Sequence, residues 1–171
     1  MKIAIFTEDR YGIGFLKKVV NRLISEGYLK EKIEFAKPHT PSLIKKCHNV
    51  SKVKAVVREV DKVLIVIDKE NVSEYDEDRE IWKHLKGLSK ADKAKIAVIA
   101  TEPCIEEWIC ISLGLNFDKT GNNVERKPDR VLESRKKYRK QDLPNYALQL
   151  DFEKLLKESN SFKRFYYALV D

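Results

Sequence analysis

Hydrophobic positions in this chain fall into short runs of two kinds, and polar turns separate them. Lys2 to Phe6 is a β-rich apolar run that the turn Thr7-Glu8-Asp9-Arg10 interrupts. Phe15, Leu16, Val19, Val20, Leu23 and Ile24 then recur at helical spacing, and Gly27 ends that helix. A second short strand fits Ile33 to Ala36, and a basic helix fits Ser42 to Val60 with Leu43, Ile44, Cys47, Val50, Val53 and Val57 inward. Val63 to Ile67 is almost purely β-branched, as suits a central parallel strand buried on both faces, and Asp68 stops it. Asp76 to Leu88 reads as a helix, Ile96 to Ala100 as another buried strand and Ile105 to Leu113 as an amphipathic helix. Strands alternating with helices predict a mainly parallel four-stranded sheet in a three-layer α/β domain. After Gly114 the strand signals vanish. A polar stretch at Thr120 to Asn123 leads to helical segments near Arg130 to Lys140, Asp151 to Glu158 and Phe162 to Val170. Residues 1–114 are therefore expected to form the α/β core, with 115–171 a helical C-terminal extension packed on the same domain.

At 171 residues the chain suits one domain, and its 43% hydrophobic content supplies a core, which excludes a disordered or collagen-like chain. No apolar run approaches the roughly 20 residues of a membrane span. The N-terminus enters a strand pattern without the marks of an export signal, so a cytoplasmic protein is expected. Cys47, Cys104 and Cys110 form no Cys-x-x-Cys pair, which argues for reduced thiols and against a thiolate zinc site. Abundant Lys and Glu with a single Met resembles the composition of thermophile proteins.

The formal net charge of +7 is unevenly placed. Residues 1–60 carry 13 basic and 6 acidic side chains, 61–110 carry 8 and 12, and 111–171 carry 13 and 9. An acidic middle between basic flanks is what a protein needs to hold a divalent cation with carboxylates and a polyanion with its rim. An uneven solvated surface would produce the same numbers.

In a parallel α/β sheet, functional groups gather where the strands end. Glu8 and Asp9 follow the first strand, Asp68 and Glu70 the third, and Glu102, Glu106 and Glu107 the fourth. Hard oxygen ligands from separate strands suit Mg²⁺, whereas without a cation the same carboxylates repel one another. Each also has an ordinary structural role open to it: Asp68 can begin a turn, Glu106 and Glu107 can favour a helix start, and Glu8 can be solvated.

These residues carry a resemblance. Ile3 to Glu8, with Phe15-Leu16 opening the next helix, resembles the first motif of Toprim domains, where a Glu ends the first strand. Val63 to Ile67 followed by Asp68-Lys69-Glu70 resembles their second motif, an acidic pair spaced by one residue. Pro103-Cys-Ile-Glu106-Glu-Trp108 looks like the Pro-x-Phe-Glu-x-Trp helix of the RloB-like and OLD-nuclease-like branch, and Lys127 to Lys140 with Phe162 to Leu169 resembles the tail of its small stand-alone members. The resemblance implies a Toprim-like, Rossmann-like fold, Mg²⁺ or Mn²⁺ as cofactor, and a nuclease acting on nucleic-acid phosphodiesters. It makes Glu8 the general acid/base, Glu8, Asp68 and Glu70 the catalytic residues, and Glu8, Asp68, Glu70 and Glu106 the metal ligands. The chain differs in having Asp9 where Gly usually follows the first Glu, and Glu70 where Asp is common.

The densest basic stretch, Arg135-Lys136-Lys137-Tyr138-Arg139-Lys140, with Arg126, Lys127 and Arg130 before it, is a candidate surface for DNA or RNA, on which Tyr138 would stack a base. A solvated helix face is the competing reading. His39, His48 and His84 lack metal-ligand spacing, and Gly12 and Gly14 lack the rest of a nucleotide fingerprint. Two other functions stay open. One is a catalytically silent module that binds nucleic acid, a partner protein or a second copy. The other is a receiver-like domain taking phosphate on Asp68, with Glu8 and Asp9 as acid pair and Thr101 as switch residue, although no fifth strand ending in Lys is evident.

Overall fold

Alternation along the strands decides the layers. Ile3, Ile5, Leu64, Val66 and Ile99 belong to one buried cluster, while Ala4, Phe6, Val63, Ile65, Ile67, Ile96 and Ala100 belong to another. Successive strand side chains point to opposite faces, so the sheet is covered on both sides. The computed structural model describes residues 1–37, 51–69 and 77–170. It shows β1 (Lys2–Thr7), α1 (Arg10–Ser25), β2 (Glu34–Phe35), α2 (Ser51–Val56), β3 (Lys62–Asp68), α3 (Glu77–His84), α4 (Lys90–Ala94), β4 (Ile96–Thr101), α5 (Glu107–Leu113), α6 (Pro128–Lys136), α7 (Phe152–Glu158) and α8 (Asn160–Val170). Among the described residues the sheet has four strands in the order β2-β1-β3-β4, all parallel. It is the three-layer α/β arrangement expected of the alternating pattern.

One layer holds α2, α3 and the face of Ala4 and Phe6. The other holds α1 and α5 together with the C-terminal segments, because Phe15, Trp108, Phe162 and Phe165 share one cluster. Trp108 is its centre, with ring centroids of Phe162 and Phe165 at 5.0 and 5.3 Å and that of Phe15 at 6.1 Å. Polar contacts fix the same docking: Arg22 donates to the Ala147 carbonyl at 2.7 Å and its guanidinium lies 4.3 Å from the Phe152 ring centroid. Arg164 donates to the Ala100 carbonyl at 2.7 Å. The C-terminal segment is thus part of the core layer.

Several element expectations change. The basic helix over Ser42 to Val60 is seen as Ser51–Val56 and a 3₁₀ turn at Val57–Glu59, and residues 42–50 lie outside the described residues. The helix expected near Arg130 to Lys140 stops at Lys136, because Lys137 takes a left-handed conformation with φ 53°. A 3₁₀ segment, Lys140–Gln149, follows. Among the described residues, no helix is long and apolar enough to cross a membrane.

Candidate functional site

Because the strands are parallel, the ends of β1, β3 and β4 open on one edge. At the end of β1, the Thr7 hydroxyl donates to the Asp9 carbonyl, and Asp9 caps α1 by accepting from the Gly12 amide at 2.8 Å. The neighbouring Glu8 turns toward β3, where its Oε2 accepts from the Asp68 amide at 3.2 Å. Asp68 is held from the β4 side: its Oδ1 accepts from the Thr101 hydroxyl at 3.0 Å and from the Ile105 amide at 2.9 Å. Asp9 is therefore oriented by the first turn of α1, and Glu8 and Asp68 by donors on the neighbouring strand ends and loops.

Glu106, just before α5, is 2% exposed. A carboxylate at that depth needs partners, and both come from far along the chain. The Tyr138 hydroxyl and the Lys140 ammonium each donate to Glu106 Oε1 at 2.8 Å. Lys140 Nζ also stands 3.6 Å from Asp9 Oδ2. The left-handed turn at Lys137 makes this possible, since it reverses the chain after α6 and sends Tyr138 inward beside Tyr146, their ring centroids 5.7 Å apart.

The charges interact strongly. Burial pushes the Asp68 carboxyl well above its ordinary value, and the negative charges of Glu106 and Glu8 push the same way against Lys140. Burial also raises Glu106, but Lys140 and the Tyr138 hydroxyl more than offset it, so Glu106 stays ionised below the usual carboxylate range. Lys140 is held protonated, its partial burial outweighed by Glu106 and Asp68. Burial lifts the Cys104 thiol and takes Cys110 up to about 12, which leaves neither a nucleophile.

A cavity of about 300 Å³ adjoins the cluster, lined by Asp68, Cys104, Glu106, Asp129 and Lys140 among others. Asp68 and Lys140 also line a second, much smaller recess with Glu8, Asp9 and Gly12, and so stand between the two.

Three expected site residues, Glu8, Asp68 and Glu106, meet here. Glu70 lies outside the described residues, as do Cys47, His39 and His48. Among the described residues, no three His, Cys, Asp or Glu side chains converge on a point that would hold a metal ion. The donor chemistry nevertheless fits a hard cation: the donors are carboxylate oxygens, and the like-charge pressure on Asp68 is what a divalent ion relieves.

The basic stretch divides. Arg126, Arg130, Arg135, Lys136, Lys137 and Arg139 are exposed and Lys127 is half-buried, while Arg130 pairs with Glu133 at 3.3 Å. Tyr138 is 5% exposed, which corrects its expected role as a stacking platform: its ring belongs to the core and its hydroxyl to Glu106. Lys140 likewise leaves the rim for the acid cluster. Glu107 points away from Glu106 and accepts from the Ser161 hydroxyl and the Glu102 amide. Thr101 and the Ile105 amide, which steady Asp68, carry no signal of that role as metal-site residues in the sequence.

No family model, curated protein or solved structure matches the chain.

Proposed function

We propose that the protein is a Toprim-like nuclease that uses Mg²⁺ or Mn²⁺ to cut nucleic-acid phosphodiesters at the ends of β1, β3 and β4. The observation that carries this reading is Asp68, whose Oδ1 is fixed by Thr101 and Ile105 in the lining of a cavity, with the carboxylates of Glu8 and Glu106 bearing on it. Asp68 and Glu106 would hold the metal, with Glu8 beside them. The ion, when bound, withdraws charge from the phosphoryl oxygens. Glu8 takes the proton of the attacking water or returns one to the leaving oxygen. Lys140 offers an ammonium to the developing charge, and the exposed bases from Arg126 to Arg139 hold the flanking phosphates without reading sequence. Buried, unpaired Cys104 and Cys110 support a reducing, cytoplasmic setting.

Single- and double-stranded DNA and RNA, incubated with the purified protein and Mg²⁺ or Mn²⁺, test the reading. Glu8→Gln and Asp68→Asn are expected to lower cleavage by about 100-fold or more. Activity unchanged in both variants rejects it.

One relationship favours a second reading. Thr101 donates to Asp68, and Lys140 bears on the same carboxylate, which together resemble the phosphoacceptor site of a receiver domain. The described sheet, however, has four strands. Labelling of Asp68 by a small acyl phosphate, absent in Asp68→Asn, would establish it. A silent binding module remains the reading if neither cleavage nor labelling occurs.

A further inference from the structure

The positive charge inside the acid cluster belongs to the chain itself. Lys140 Nζ is 2.8 Å from Glu106 Oε1 and 3.6 Å from Asp9 Oδ2, and its charge bears on Asp68 as well. Glu106 Oε1 also accepts from Tyr138, so both of its lone pairs are occupied. A divalent ion on these carboxylates, at the roughly 2 Å that Mg²⁺ requires, would stand within a few ångström of the ammonium, and the two cations would oppose each other.

Lys140 has somewhere to go. Its side chain is 35% exposed and lines the cavity of about 300 Å³ as well as the small recess, so its flexible stem can swing outward while the backbone stays in place. Tyr138, buried with its ring against Tyr146, has no such freedom.

We propose that Lys140 is an exchangeable counter-ion: it neutralises Glu106 and Asp9 while no metal is bound, and a divalent cation enters the cluster only as the ammonium withdraws toward the cavity. This rests on the metal-dependent reading above. It adds that metal binding and presentation of Lys140 to a substrate phosphate are one event.

Calorimetric titration of Mn²⁺ into wild type, Lys140→Met, Lys140→Arg and the double variant Lys140→Met with Asp68→Asn tests the exchange. Lys140→Met is expected to bind Mn²⁺ at least tenfold more tightly than wild type, Lys140→Arg no more tightly, and the double variant to lose the gain. Equal or weaker binding by a folded Lys140→Met protein overturns the exchange and leaves the metal reading standing. Binding by neither wild type nor variant overturns both. Wild type provides a test that needs no substitution: the side-chain nitrogen resonance of Lys140 is expected to shift as Mg²⁺ saturates the protein. A resonance that stays fixed at saturation overturns the exchange.

Discussion

Asp68 and Thr101 are register partners at the ends of β3 and β4, and the Thr101 hydroxyl closes the pair by donating to Asp68 Oδ1 at 3.0 Å. The same hydroxyl lies 3.2 Å from the Ile67 carbonyl, and Thr101 is wholly buried. The parallel ladder itself therefore positions the central carboxylate of the site.

Thr101→Val keeps the shape and removes that donor. Asp68 Oδ1 then loses one of its two hydrogen-bond donors and keeps only the Ile105 amide, so its carboxyl moves still higher. A stability loss of about 1 kcal/mol is expected from the missing hydrogen bond. Urea unfolding and NMR titration of Asp68 check both parts, and Thr101→Ser should restore them.

Gly12 fixes how closely α1 approaches the end of β1. A Cβ there would lie 3.1 Å from both Cβ and Oγ1 of Thr7. Thr7 is buried and donates to the Asp9 carbonyl, so it cannot yield without moving the loop that carries Glu8. Gly12→Ala is expected to cost about 1–3 kcal/mol in urea unfolding. Unchanged stability would mean that α1 shifts freely at this end.

The exposed bases predict a salt dependence. If Arg135, Lys136 and Arg139 each neutralise a phosphate, replacing all three by Gln should flatten the slope of log affinity against log salt by about 2 to 3. Affinity should fall to a similar extent for every sequence tested. An unchanged slope, measured by fluorescence anisotropy between low and moderate salt, would place nucleic acid elsewhere.

Much of the sheet was legible because its signals are local. Val63 to Ile67 is β-branched except at Leu64 and lies within β3, and Glu8 and Asp68, at the ends of β1 and β3, reach one edge because the sheet is parallel. The short α4 escaped, since Lys90–Ala94 contributes no buried residue and thus no apolar period. The interior role of Lys140 was illegible for a different reason. It depends on Lys137, a non-glycine residue with φ 53°, and no local rule marks such a turn inside a run of basic residues. Without the turn, Tyr138 and Lys140 read as surface. Glu106 and Glu107 look equivalent as neighbours in sequence, yet adjacent helical positions face different ways, so one enters the site and the other the core beneath α8.

That second glutamate carries a pH dependence of its own. Glu107 is 4% exposed, and its Oε1 accepts from the Ser161 hydroxyl and, at 3.1 Å, from the Glu102 amide. Ser161 in turn accepts from the Trp108 indole at 2.8 Å, which ties the carboxyl to the aromatic centre of the core. Burial pushes Glu107 from about 4.5 up to about 7 against the pull of these hydrogen bonds. The folded protein consequently binds more protons than the unfolded chain between those two values. The contribution is full below pH of about 4.5, is lost as pH rises through about 7, and is flat above that. The full difference is about 3 kcal/mol. Glu107→Gln keeps a neutral side chain at every pH and should remove this dependence. Urea unfolding of both proteins at pH 5, 6, 7 and 8 makes the comparison: wild type should weaken relative to the variant across this range. A constant difference between them would show that Glu107 is already ionised at the bottom of the range, and that the contact between α5 and α8 holds a charge.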